Sequence, residues 1–553
     1  MKVVRWPSKA PTARALRKAG GRTALAVLLA VLNPFGIRDW TEARSHENWQ
    51  QLYAPYYAPS PESRQRQARD EIAIVLIDDA SRNALANRHD IDSLDVAQMI
   101  EDVIEAPGAG AAPRAVFVDL LLGDAAPRSM SEKRPFTWPQ KVVDACTLGG
   151  RSNIDSPFQC LLITVARFTA YDRWKDDPIC RRNNLEKVLC IEHAGGIPIL
   201  FADPAPPFEG GVGPDAQASL TVRALGEVGA TVPVEVEPHE YPLVRRGAHR
   251  DSLMLYPAAA LYAASCERQG CAPSPIAVEA TDWSPKFKRD VDVVWGVDVP
   301  RARESERPFT RMIRRLQGDS AVCRTWPRDP WSSIKRFVHL ATAGIDTPSV
   351  AACAYTDAIP YRFLQSGITP QETRQALGGK VVLLGSHVLG DNDSVAATPY
   401  GALPGVFLHA MALDNLMQRG ANYPKAPVRP VPGLTLTSVN LIDLATVFGT
   451  TFGLAILTAG IAARNASGRP ISARGWARRI GLLLSFVMVV FWLMFILSGG
   501  VGIMPETFNI AVVGIACVIG LGELAAEVFE PAWKPLLARI RRREPGPKSA
   551  GGG

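Results

Sequence analysis

Residues 380–417 read KVVLLGSHVLGDNDSVAATPYGALPGVFLHAMALDNLM. Val381, Val382, Leu383 and Leu384 make a short apolar run of β type, and a glycine-punctuated loop follows. The run Ala-Thr-Pro at 397–399 and the Pro-Gly turn at 404–405 then lead into an apolar-periodic stretch of helical length. A strand feeding a loop feeding a helix is the signature of an α/β fold. The loop carries Asp391, Asn392, Asp393 and Ser394, where such folds place their working residues.

Three further stretches read as strands of the same kind. EIAIVLIDD at 71–79 is a buried-strand run followed by a capping segment, and 94–105 has helical period. AVFVDLL at 115–121 and IPILFA at 197–202 are a second and a third buried strand. Continuous apolar strands alternating with helices predict a mixed or parallel sheet covered by helices on both faces. A helix is expected at 253–265, a short one at 369–377 with Thr369-Pro370 opening it, and another at 404–418. Residues 123–194 are rich in charge and cysteine and lack a strong period, so 124–196 is read as an insertion.

Asp78, Asp79, Asp119, Asp203, Asp391 and Asp393 all follow or end strand-like runs. Carboxyl ends of parallel strands form the ligand crevice in doubly wound sheets. Carboxylates converging there would bind a divalent cation or a cationic ligand. Against this stands the plainer role of aspartate at strand ends, closing a turn or capping the next helix. Asp78, Asp79, Asp119, Asp391, Asp393 and Ser394 are the candidate ligand-binding residues.

Catalysis is not expected. Ser386 and His387 are adjacent, but Gly385-Ser386-His387 lacks the G-x-S-x-G elbow. Asp119 lacks a second aspartate two residues on, since Leu121 stands there. No cofactor is implied.

The net charge of +7 conceals segregation. Residues 1–22, 464–479 and 531–553 together hold 18 Lys/Arg and one acid, so the remainder of the chain carries −10. Such short basic blocks are membrane flanks rather than one folded basic face, which argues against a nucleic-acid partner. Four apolar segments alternate with them, at 23–37, 434–463, 480–503 and 510–529. Spanning a bilayer takes about 20 apolar residues, within a range of about 17–25. The last three segments qualify, although the second carries Asp443. The first has the length of a signal peptide, but Phe35–Trp40 is a poor cleavage context, so an uncleaved signal anchor is expected. The positive-inside rule puts 1–22, 464–479 and 530–553 in the cytoplasm and 38–433 outside it. Trp49, Tyr53, Tyr56 and Tyr57 read as juxtamembrane aromatics. The expected setting is a bacterial inner membrane, with the large domain in the periplasm.

Eight of the nine cysteines fall in the outside region, at Cys146, Cys160, Cys180, Cys190, Cys266, Cys271, Cys323 and Cys353. An even number suits disulfides in an oxidising compartment. Sequence leaves the pairing open. Zinc is the weaker reading, because no CxxC pair occurs.

The membrane segments carry acids of their own. Glu523, Glu527 and Glu530 are spaced four and three apart, on one face of the last helix. Glu530 is placed to pair with the arginines at 539–543, while Glu523 and Glu527 are expected to contact another helix. The basic tail at 534–543 suits anionic lipid headgroups.

Three stretches, IAIVLIDDASRNAL, AVFVDLLL and 380–417, resemble the opening strand, second strand and C-terminal signature of the cyclase- and histidine-kinase-associated (CHASE-type) sensory extracellular domain, type two. The resemblance implies an extracytoplasmic sensory domain at 38–433, between one N-terminal and three C-terminal membrane helices. EYPLVRR at 240–246 stands where members carry an arginine-bearing strand. Members usually continue into a cyclase or kinase, and no glycine-rich phosphate loop, catalytic loop or histidine box fits in 464–479 or 530–553. The expectation is therefore a sensory or ligand-binding protein that signals through its membrane helices to a separate effector, with a homo-oligomer also open. The alternative is an assembly subunit of an envelope complex whose domain binds protein.

Topology is directly testable. A phosphatase fusion at Gly401 is expected to be active outside the cytoplasm and one at Ser467 inactive. An inactive fusion at Gly401 would overturn the arrangement.

Overall fold

The β-branched and aliphatic runs become strands wherever they are short enough to cross one sheet. In the computed structural model the described residues fall within 54–120, 157–203, 220–246, 253–296, 355–387 and 394–425, with short interruptions. All lie in the unit 47–426, and the second unit, 1–46 with 427–553, contains none of them. The expected spans at 23–37, 434–463, 480–503 and 510–529 therefore lie outside the described residues, as do Glu523 and Glu527. Among the described residues no helix is long and apolar enough to cross a membrane.

Strands β1 (Ile72–Asp78), β2 (Ala115–Asp119), β3 (Ile199–Asp203), β4 (Ala230–Pro233), β7 (Ala358–Pro360) and β8 (Val381–His387) form one six-stranded sheet in the order β4-β3-β2-β8-β1-β7. Every pair in it is parallel. The two edge strands, β4 and β7, each carry a proline, Pro233 and Pro360, which lacks the N–H a central strand must donate. Two antiparallel hairpins stand apart from the sheet: β5 (Val244–Arg246) with β6 (Leu253–Leu255), and β9 (Ser394–Val395) with β10 (Leu403–Pro404).

Helices cover both faces. On one, α1 (Ser93–Glu105), α2 (Pro157–Phe168), α4 (Leu220–Val228), α6 (Arg362–Ser366) and α7 (Pro370–Leu377) pack on Ala73, Val75, Ile77, Val116, Val118 and Val382. On the other lie α3 (Asn184–His193), α5 (Pro257–Gln269) and α8 (Gly405–Arg419), against Ile72, Ile74 and Phe117, which alternate with the first set. From β1 to β4 the chain steps across the sheet in one direction, with α1, α2 and α4 on the first face and α3 on the second. It returns toward β7 past α5 on the second, as right-handed crossovers require. The parallel sheet with helices on both faces is thus present. The structure extends into the segment read as an insertion, because α2 is the crossover from β2 to β3 and packs against α1. Its pattern was masked in sequence by the charged, cysteine-bearing residues around it.

Local chemistry sets the helix boundaries. Thr369 and Glu372 form a reciprocal capping box at the start of α7, and Asn183 accepts from the Glu186 N–H to cap α3. The expected helix at 253–265 divides at Pro257, which starts α5 while Leu253–Leu255 pairs in β6. Five alanines in α5 allow α3 and α8 to flank it closely.

Gly385 marks the tightest approach of helix to sheet. A Cβ placed there would meet Val406 Cβ at 2.6 Å and Cγ1 at 2.7 Å. Replacing it with Ala is expected to cost about 1–3 kcal/mol, as overpacking in a closed core does. The loss should show as a lower denaturation midpoint, partly restored by adding Val406→Ala.

Candidate functional site

The carboxyl edge of the sheet is where the fold would hold a ligand, because β8 enters between β1 and β2 there. Asp78 ends β1 opposite His387, and Asp119 ends β2 opposite Gly385. The strand that leads into the loop 391–394 therefore separates the two aspartates.

Asp78 is engaged locally. Its Oδ1 accepts from the Ser81 N–H at 2.7 Å and from the Ser81 hydroxyl at 2.5 Å. Arg362 Nη2 stands 3.9 Å from its Oδ2, and the Arg362 N–H donates to Ser81 Oγ. This is the capping role, tying the turn after β1 to α6. Asp79 is exposed at that turn.

Asp119 has different surroundings. Its side chain is 8% exposed, and His409 Nε2 of α8 lies 3.8 Å from its Oδ2. His409 Nδ1 is 2.8 Å from the hydroxyl of buried Tyr241, which in turn accepts from the Ala258 N–H at the start of α5. That oxygen keeps both a proton and a second lone pair, so its role toward Nδ1 follows the imidazole tautomer. A proton on Nε2 would face Asp119 and leave Nδ1 to accept from the hydroxyl. Burial pushes the His409 pKa down to about 3, so the ring is neutral. Burial, chiefly, holds the Tyr241 hydroxyl well above its ordinary value, with Asp119 also contributing. Phe117 and Tyr241 pack edge-on to the imidazole at 5.1 and 5.6 Å. The result is a buried polar relay from the end of β2, across that 3.8 Å approach, through α8 to the start of α5.

Two more polar residues of α8 are buried without exposure. Asn415 accepts from the Val294 N–H and donates to the Val294 and Met411 carbonyls. Asp414 accepts from the Tyr57 hydroxyl at 2.5 Å. None of Tyr241, His409, Asp414 and Asn415 was singled out in the sequence reading, and Tyr57 was read only as a membrane-flanking aromatic. The available signal was GVFLHAMALDNLMQR itself, apolar from Gly405 to Leu416 except at His409, Asp414 and Asn415.

The remaining candidates fall as follows. Asp391 and Asp393 lie outside the described residues, and Ser394 pairs with Pro404 in the β9–β10 hairpin. Asp203 is buried at the end of β3, opposite Pro233. Cys180 and Cys190 form a disulfide with Cα atoms 5.8 Å apart, closing the excursion between α2 and β3. Cys160 and Cys266 are also disulfide-bonded. Cys146, Cys271, Cys323 and Cys353 lie outside the described residues. Among the described residues Asp177, Cys180 and Cys190 are the one group close enough to hold a metal, and the disulfide takes both thiols.

A family model described as CHASE2 domain matches residues 23–454, and the chain belongs to that family. No curated protein and no solved structure matches it.

The relay has a measurable cost of disruption. Tyr241→Phe would leave the Ala258 N–H and His409 Nδ1 without their shared hydroxyl in a dry core. It should destabilise the protein by about 1–3 kcal/mol. His409→Gln, able to reach only one side, should lower the denaturation midpoint in the same way.

Proposed function

We propose that the chain is a membrane-anchored sensor whose α/β domain binds a ligand outside the cytoplasm and signals through its membrane helices to a separate effector. Membership of a sensory extracellular domain family carries this reading. The matched region opens on the first apolar segment, at residue 23, and runs into the second, to residue 454. A domain bracketed by two apolar segments with basic cytoplasmic flanks is built to convey a change at its ends.

On this reading the ligand meets the carboxyl edge around Asp119 and the loop 391–394, rather than Asp78, which is held by Ser81. On this reading the effector is a separate polypeptide. Its route of contact is the membrane helices, with Glu523 and Glu527 on one face of the last.

The double replacement Glu523→Leu with Glu527→Leu tests that route. Purified in mild detergent, the wild-type chain is expected to bring a partner or a second copy with it, and the variant to lose that association. Equal co-purification and equal oligomer size would remove the glutamates from the reading. Retention of a protein partner by the domain alone, with no ligand dependence, would favour an assembly role instead.

A further inference from the structure

Tyr57 precedes the sheet in sequence, yet it is 3% exposed, seated against α8 at the other end of the domain's sequence. Ala54, three residues earlier, is 1% exposed, so both side chains are docked. The Tyr57 hydroxyl reaches Asp414 Oδ2 at 2.5 Å, and the Tyr57 ring meets Tyr355 edge-on at 5.4 Å. Gly296 completes the seat, because a Cβ there would lie 2.6 Å from Tyr57 Cδ1. We propose that this seat is the joint through which the domain holds or releases the chain entering it, with the Tyr57–Asp414 hydrogen bond as its latch.

The groups around the latch make it responsive to protons. Arg69 and Asp70 face Asp414 from the 3-10 turn Ala68–Glu71, Arg419 faces it from α8 itself, and Tyr355 lies beyond the Tyr57 ring. Desolvation outweighs them and raises Asp414 to about 7. Once the segment lifts and water enters, the carboxyl returns toward its ordinary value near 3.8. The docked state therefore binds the proton more tightly. Docking is full below about pH 4, weakens about tenfold per pH unit up to about pH 7, and then levels off. The same helix carries His409, so the joint shares a rigid element with the Asp119 relay. Its use as a transmitter rests on the sensory reading, whereas the docking does not.

Amide hydrogen exchange on the full-length protein in detergent, corrected for intrinsic rates, tests the joint. Protection of residues 54–57 is expected to fall about tenfold per pH unit between pH 5 and 7, while strands 72–78 and 381–387 stay protected. Asp414→Asn, neutral throughout, should keep the protection and flatten the profile. Tyr57→Phe, which removes only the hydroxyl, should lower protection at pH 5 about tenfold. A wild-type profile without pH dependence, an unchanged slope in Asp414→Asn, or wild-type protection in Tyr57→Phe would each overturn the proposal. Parallel loss in the core strands would do the same by showing global opening. Failure here leaves the sensory reading standing, since ligand binding is not measured.

Discussion

The sheet depends on its last strand. β8 pairs with β1 along Ile72–Asp78 and with β2 along Ala115–Asp119, so it supplies both partners in the middle of the sheet. Until residue 381 is in place, β1 and β2 have no neighbour in common and the two halves of the sheet are unconnected. The contacts that close it join residues some 300 positions apart, and loop closure must be met before they form. Gly385 sits at the centre of this strand because α8, entered directly from the β9–β10 hairpin, presses Val406 onto it.

That pressure explains what α8 carries. Gly405 through Leu416 are all buried, so any polar residue in that run must find a partner inside the protein. His409 finds Tyr241 and faces Asp119, Asp414 finds Tyr57, and Asn415 finds the Val294 backbone. One helix thus fixes the crevice edge, the start of α5, the 291–296 segment and the entering chain. Apolar replacements would fill the same volume without specifying these neighbours.

The parts legible in sequence were those with local causes. The strand runs at 72–78 and 381–387 are aliphatic and bounded by turn residues, and α7 begins at Thr369-Pro370 with Glu372 in reach. Helix α2 was hidden because its neighbours on both sides are charged or cysteine-bearing, and its partner α1 is about 60 residues away. The Cys180–Cys190 pairing was one of many that sequence allowed. Asp78 and Asp119 looked equivalent, both aspartates at strand ends. What separates them is Ser81, three residues on, against His409, 290 residues on. No spacing rule reaches that far.

His409 and Asp414 of α8 act in opposite directions as pH changes. His409 is held neutral by burial, so its contribution to stability is present above about pH 6.5 and is lost as pH falls toward 3. Asp414 is raised, so its contribution is present below about pH 4 and is lost as pH rises toward 7. Between pH 4 and 6.5 these two slopes offset each other in the global balance. They do not offset each other locally. Lifting the 54–57 segment hydrates Asp414, whereas His409 stays sealed between Phe117 and Tyr241. A proton change in this range would therefore leave the core's stability nearly level as far as these two residues are concerned, while moving the Tyr57–Asp414 hydrogen bond between the entering chain and α8.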